Sequence, residues 1–266
     1  MSNFSDFISG DGSASFPTIF LHNSQTWVPP QDGNIMIHVI GGGGSGCAST
    51  ASTTIESGAA GGYCRKNSLA VTTSGTFTVI IGAGGASVFG AAGAGTIGGT
   101  TSVAGTGLPA LRGFGGAGGA VAANAYTTGG VATGGDVNYT GGRGGYQKGG
   151  GAVGLTGTGN DGKVMSSYAF SYGGDCDILG DFYSSSLGQL SGGMGGTGLY
   201  SSTDGLGGNR EAEPLAGAGS MVLLRNNLTI GHASIGGGGG WSYSSSVTKI
   251  FSGRGGEGCV VIQYIP

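Results

Sequence analysis

The apolar residues of this chain gather in a few short runs. Asn34–Ile40 (NIMIHVI) alternates loosely and runs straight into Gly41–Gly44. Tyr63–Val71 (YCRKNSLAV) follows Gly61-Gly62, and Phe77–Ile81 (FTVII) follows a turn at Thr73-Ser74-Gly75, so these two read as a hairpin. Cys259–Ile265 (CVVIQYI) lies far from the other three. A β run that short needs a partner, and the N-terminal set is the economical one, which predicts a small antiparallel sheet joining residues near both ends of the sequence. A further run, Met221–Leu224 (MVLL), stands alone among glycines and reads as a strand or as a plug in the core. No run is long enough to cross a bilayer as a helix, and Met1–Gly10 lacks the basic start and apolar centre of a secretory signal. Membrane insertion is therefore not expected.

Between Ile81 and Cys259 the apolar period gives way to glycine. The chain holds 66 glycines in 266 residues, far above ordinary usage. Such a composition often marks disorder, but disordered chains are charged and poor in apolar residues, whereas here 9% of residues are charged and 38% hydrophobic. Collagen is excluded because glycine does not recur at every third position and proline is scarce. The glycines cluster at Gly82–Gly99, Gly113–Gly119, Gly129–Gly135, Gly141–Gly151, Gly192–Gly198, Gly236–Gly240 and Gly253–Gly258, with a G-G-X phase in Gly115-Gly116-Ala117-Gly118-Gly119-Ala120 and Gly141-Gly142-Arg143-Gly144-Gly145-Tyr146. A polyproline-II-type helix has three residues per turn and no internal hydrogen bonds. With glycine at two positions of three, two of its faces carry no side chain. Neighbouring helices can then close together and pair their backbones, with Cα–H···O contacts in support. The expected fold is mostly irregular and β, with almost no α-helix. A small antiparallel β region (strands near 34–40, 63–71, 77–81 and 259–265) closes a bundle of packed polyglycine-II helices, whose core and exposed loops span 82–258 of a domain covering 34–266.

The segments between glycine clusters are rich in tyrosine and serine, and eight of the ten tyrosines fall from Tyr126 to Tyr243. Tyrosine offers a large amphipathic contact area at low entropic cost and serine adapts its hydrogen bonds, the composition of binding loops. The candidate contact residues are Tyr126, Tyr139, Tyr168, Phe170, Tyr172, Phe182, Tyr183, Tyr200, Trp241 and Tyr243. The alternative role for these side chains is to cap the ends of a glycine bundle. Residues 1–33 carry Phe4, Phe7, Phe16, Phe20 and Trp27 and form an expected attachment arm, with packing on the sheet as the plainer alternative.

Several motifs carry no weight. Gly93–Gly98 and Gly157–Gly162 match G-x-G-x-x-G by chance at this glycine content, and Val164 stands where a phosphate-binding loop needs Ser or Thr. Asp175, Asp177 and Asp181 share one stretch, but their spacing fits no EF-hand, so an acidic surface is expected rather than a metal site. Cys47, Cys64, Cys176 and Cys259 lack zinc-ligand spacing and read as free, buried thiols. Arg112-Gly113-Phe114 and Arg143-Gly144-Gly145-Tyr146 are similar to arginine–glycine RNA-binding segments, but a net charge of -3 argues against nucleic acid. No catalytic constellation stands out, so no enzyme activity and no cofactor are expected.

Trp27-Val28-Pro29-Pro30, the entry into Gly41–Gly44, Gly61-Gly62-Tyr63 with Arg65-Lys66, Phe77–Gly85, and Gly253–Tyr264 (GRGGEGCVVIQY) together resemble the glycine-rich receptor-binding domain at the tips of tailed-bacteriophage tail fibres. More distantly, the chain resembles the detachable tip adhesins of T-even-like phages. The resemblance implies a virion protein at the distal end of a tail fibre, with the loops between glycine motifs contacting a host surface protein or glycan. It implies other tail or fibre proteins as partners, and a chain that is either a homotrimer or a single copy on a trimeric fibre. A structural virion or envelope protein without receptor is the alternative. An ice-binding polyglycine protein and a polysaccharide depolymerase fit less well, for want of a flat Ala/Thr/Ser face and of carboxylate pairs.

Overall fold

The structure, a computed structural model, describes residues 17–49, 56–121, 126–145, 150, 153, 157–159, 161, 235–239 and 252–266, and the backbone of 199–200, 221–224, 227–230 and 242–243. In chain order the strands are β1 Thr18–Leu21, β2 Gln25–Trp27, β3 Gly33–Ile40, β4 Ala48–Ser49, β5 Tyr63–Val71, β6 Phe77–Ile80, β7 Thr101–Gly105, β8 Leu108–Gly113, β9 Ala132–Thr133, β10 Val137–Tyr139, β11 Leu199–Tyr200, β12 Met221–Leu224, β13 Asn227–Ile230, β14 Ser242–Tyr243 and β15 Cys259–Ile265. No helix occurs among the described residues.

Two five-stranded antiparallel sheets form the base. One has the order β1-β15-β3-β5-β10 and the other β2-β6-β7-β8-β9. As the run pattern predicted, β15 joins the N-terminal strands, with Val260 opposite Val39 on one side and Leu21 on the other. The strands expected at 63–71 and 77–81 are present, but they do not form a hairpin. β5 pairs with β3 and β10, while β6 crosses to the second sheet and pairs with β2 and β7. The crossing gives each sheet an apolar face to cover. Ile35, Ile37, Val39, Val260 and Ile262 of the first sheet pack against Phe77, Val79, Val103, Leu108 and Leu111 of the second. β1 and β2, within the stretch read as an arm, are built into the two sheets.

Two bulges shape this sandwich. Along β5, Leu69 pairs with Ile35 and Lys66 with Ile37, so Asn67 and Ser68 together oppose a single residue. The extra residue reverses the inward parity, which lets Cys64 and Leu69 face the same core. Along β8, Leu108 pairs with Gly105 and Leu111 with Val103, and the extra residue again turns both leucines inward. The stretch Thr101–Gly113, which the sequence placed within the span of polyglycine core and exposed loops, is therefore a bulged β-hairpin. Its turn depends on Gly107, whose φ of 70° suits glycine. Met221–Leu224 is a strand rather than a plug, paired with β13.

From the sandwich the chain runs out and back as polyglycine-II helices. The segment following β3 shows the threefold geometry directly. Gly41, Gly44 and Cys47 donate their N–H groups to Gly62, Ala59 and Glu56. Gly42, Ser45 and Ala48 donate to Gly99, Thr96 and Gly93, and Gly43 and Gly46 to Gly256 and Gly253. Successive residues thus address three different neighbours, and every third residue returns to the same one, as three residues per turn requires. Carbonyls of the same segment accept from Gly85, from Gly116 and Gly119, and from Gly239. The helix is enclosed by six segments, and residues 41–49 are all buried. Residues 56–62 repeat the pattern: Ser57 and Ala60 donate to Gly145 and Gly142, Gly58 and Gly61 to Gly239 and Gly236, and Ala59 and Gly62 to Ala117 and Phe114.

Glycine is required here by space. A methyl group built at Gly43 would meet the carbonyl oxygen of Gly237, at Gly61 that of Gly41, and at Gly116 that of Ala59, each well inside van der Waals contact. Side chains project where the lattice ends, as at Ile97, 69% exposed.

Candidate functional site at the far end of the bundle

The described residues that flank the connections between helices fall at the end opposite the sandwich. The chain departs at Ser49 and re-enters at Glu56. It does the same around Gly85 and Gly93, Gly119 and Thr127, and Gly239 and Ser252. Bonds at one level of the bundle tie these points together. Cys47 N–H reaches Glu56 O, Ala48 reaches Gly93, Gly46 reaches Gly253, and Gly95 reaches Gly119. Thr127 joins them through its N–H to Gly144 O and its hydroxyl to Ser57 O at 3.0 Å.

Three features stand at this end. First, β4 continues the central helix and pairs in parallel with β14, which pairs in parallel with β11. The register aligns Ser49, Tyr243 and Tyr200 in one row, so two candidate contact residues distant in sequence become neighbours along the backbone. Second, Phe89 is 70% exposed, between helices that run at 82–85 and 93–99. Sequence reasoning passed over it inside a glycine cluster, although the glycine-free triplet Ser87-Val88-Phe89 interrupts that cluster. Third, Tyr126 is 45% exposed and carries the Arg143 guanidinium 4.9 Å from its ring centroid. Arg143 donates Nη2 and Nε to Asp161 Oδ2 at 2.6 and 2.9 Å, and its backbone N–H to Oδ1 at 2.8 Å.

The other described candidates lie at the sandwich. Tyr139, on β10, stacks on Tyr63 with centroids 6.1 Å apart and planes at 11°. The Tyr63 hydroxyl bonds His38 Nδ1 at 2.8 Å, while His38 Nε2 is buried without a partner among the described residues. Burial, with Arg65 nearby, holds the His38 pKa down at about 4. Trp27 is a core residue, its ring 5.5 Å from Phe77, and Phe20 stacks beside His22 and packs against the cluster of Ile40, Tyr63, Cys259 and Val261. Phe4, Phe7, Phe16, Tyr168, Phe170, Tyr172, Phe182, Tyr183, Trp241, Cys176, Asp175, Asp177 and Asp181 lie outside the described residues.

Cys47, Cys64 and Cys259 are free and buried, and burial pushes their thiols up to about 11, 11 and 12. They act as small apolar fillers, as the sequence suggested. Among the described residues no group of three His, Cys, Asp or Glu side chains is placed to hold a metal ion, and no helix is long and apolar enough to cross a membrane.

The sequence profile described as a glycine-rich domain matches residues 20–265. The chain belongs to that glycine-rich domain family. A search of curated proteins finds no match. The family match begins within β1 and ends within β15, so the sandwich belongs to the glycine-rich domain together with the bundle.

Proposed function

We propose that this glycine-rich domain is a bacteriophage tail-fibre tip adhesin, which binds a host surface protein or glycan through the far end of its bundle. One observation carries the reading: Phe89, Tyr126 and the β4-β14-β11 register lie with Ser49, Glu56, Thr127 and Ser252 at a single end of the bundle, away from the sandwich that receives β1 and β15. A scaffold of this kind fixes the helices through backbone bonds and leaves the turns free to carry contact chemistry. Aromatic residues at that end, Phe89 and Tyr126 by side chain and Tyr200 and Tyr243 by strand register, suit recognition by amphipathic rings. The opposite end faces the rest of the fibre. No catalytic step, cofactor or metal is assigned to the protein.

The test is adsorption of purified, fluorescently labelled protein to a panel of bacterial strains, followed by challenge with the parent phage. An adhesin labels a subset of strains and protects those strains from infection. Uniform absence of labelling, with the chain found buried within the virion tail, points to a structural part instead.

A further inference from the structure

The arginine of the Arg143-Gly144-Gly145-Tyr146 motif is not used by the backbone lattice. Its neighbours Gly142, Gly144 and Gly145 accept the bundle bonds from Ala60, Thr127 and Ser57. Its side chain instead projects from the bundle and joins two other segments. One is the segment entering Thr127, through the face of Tyr126. The other holds Gly159, whose N–H donates to Thr140 O, and Asp161, which accepts from Arg143. Asp161 is thus held by both the guanidinium fork and the backbone of one residue. The fork fixes the guanidinium, whose Cζ lies over the Tyr126 ring 4.9 Å from its centroid, while Tyr126 stays 45% exposed. Three successive segments, at Tyr126, Arg143 and Asp161, are thereby locked at one place beside the far end.

We infer that Arg143 is a positioning residue of the recognition end: anchored by Asp161, it sets the pose in which Tyr126 meets the receptor. This inference rests on the adhesin reading for its consequence but not for its geometry. An aromatic contact held in its bound pose loses less entropy on binding than a freely rotating one. Lysine at 143 keeps the charge but loses the planar fork, so it does not restore the pose.

The experiment uses the full chain with 3-fluorotyrosine at position 126, wild type and Arg143→Ala, Arg143→Lys and Asp161→Asn. The fluorine resonance is expected to shift and broaden in all three variants while the thermal midpoint stays put. An unchanged resonance in Arg143→Ala overturns the inference, whether or not any strain is bound. On a strain that wild type labels, Arg143→Ala is expected to weaken adsorption by about three- to tenfold, the scale of an exposed cation–π contact plus lost preorganisation. In a Tyr126→Ala background Arg143→Ala is expected to add nothing further. Equal losses in both backgrounds, or full adsorption by Tyr126→Ala, overturn the role of Arg143 through Tyr126. If wild type labels no strain, the adhesin reading falls and the fluorine result alone decides whether Arg143 positions Tyr126.

Discussion

At Gly43 the lattice leaves no room for a side chain, because the Gly237 carbonyl fills the place a methyl would take. Gly43→Ala must therefore push a neighbouring helix away, and overpacking of a close-packed interior costs about 1–3 kcal/mol or more. We expect a loss of about 3 kcal/mol for Gly43→Ala in chemical denaturation. Gly157→Ala is the control: among the described residues nothing lies within 4 Å of its would-be methyl, so near-neutral stability is expected. Equal effects at the two sites contradict a glycine core. His38 gives a second prediction at this scale. The unfolded side chain takes a proton near pH 6.5, the folded one only near 4, so the unfolded state binds more protons between those values. The contribution to stability is whole above pH 6.5, falls as pH drops through the window, and has gone by about pH 4. A shift of this size corresponds to about 3 kcal/mol. Replacing His38 with Gln is expected to flatten the stability–pH curve between pH 6.5 and 4, and an unchanged slope contradicts the assignment.

At the scale of elements, the sequence made some strands plain and hid others. β3 and β15 were legible because inward residues alternate without a break, as in Ile35, Ile37 and Val39. β8 was not, because Leu108 and Leu111 are three apart and only the bulge puts both inside. The supposed hairpin of β5 and β6 failed for a different reason. A short connection favours pairing in one sheet, but covering two apolar faces drives the chain across to a second. The polyglycine helices were legible in their G-G-X phase, since a repeat of three matches three residues per turn. Which helix meets which was not legible, because glycine offers no side chain by which to distinguish partners. Amide hydrogen exchange tests the helices as elements. Each backbone N–H from Gly41 to Ala48 is bonded, so all are expected to exchange only by large-scale unfolding. Rapid exchange at alternate residues, or throughout, contradicts the threefold packing. β15 supports both the sandwich and the return of helix 253–258, so deleting 259–265 is expected to abolish cooperative unfolding. A sharp thermal transition in the deletion variant contradicts that role.

For the whole molecule, the arrangement has a direction. One end is a hydrophobic sandwich, the middle is a backbone-bonded lattice, and the other end carries Phe89, Tyr126 and the β4-β14-β11 register. Composition alone indicated aromatic loops on a glycine scaffold, but it could not sort them by end. Tyr139 lies with the sandwich, while Tyr200 and Tyr243 meet across a parallel register that joins residues far apart in sequence. The most direct test of the adhesin account compares the two ends on one bound strain. The far-end variant combines Phe89→Ala, Tyr200→Ala and Tyr243→Ala; the sandwich-end variant combines Val28→Ala and Ile80→Ala, both half-exposed positions. Aromatic anchors dominate recognition surfaces, so the far-end variant is expected to lose at least about tenfold in adsorption while the sandwich-end variant matches wild type. Full adsorption by the far-end variant, with loss in the sandwich-end variant, would contradict the account.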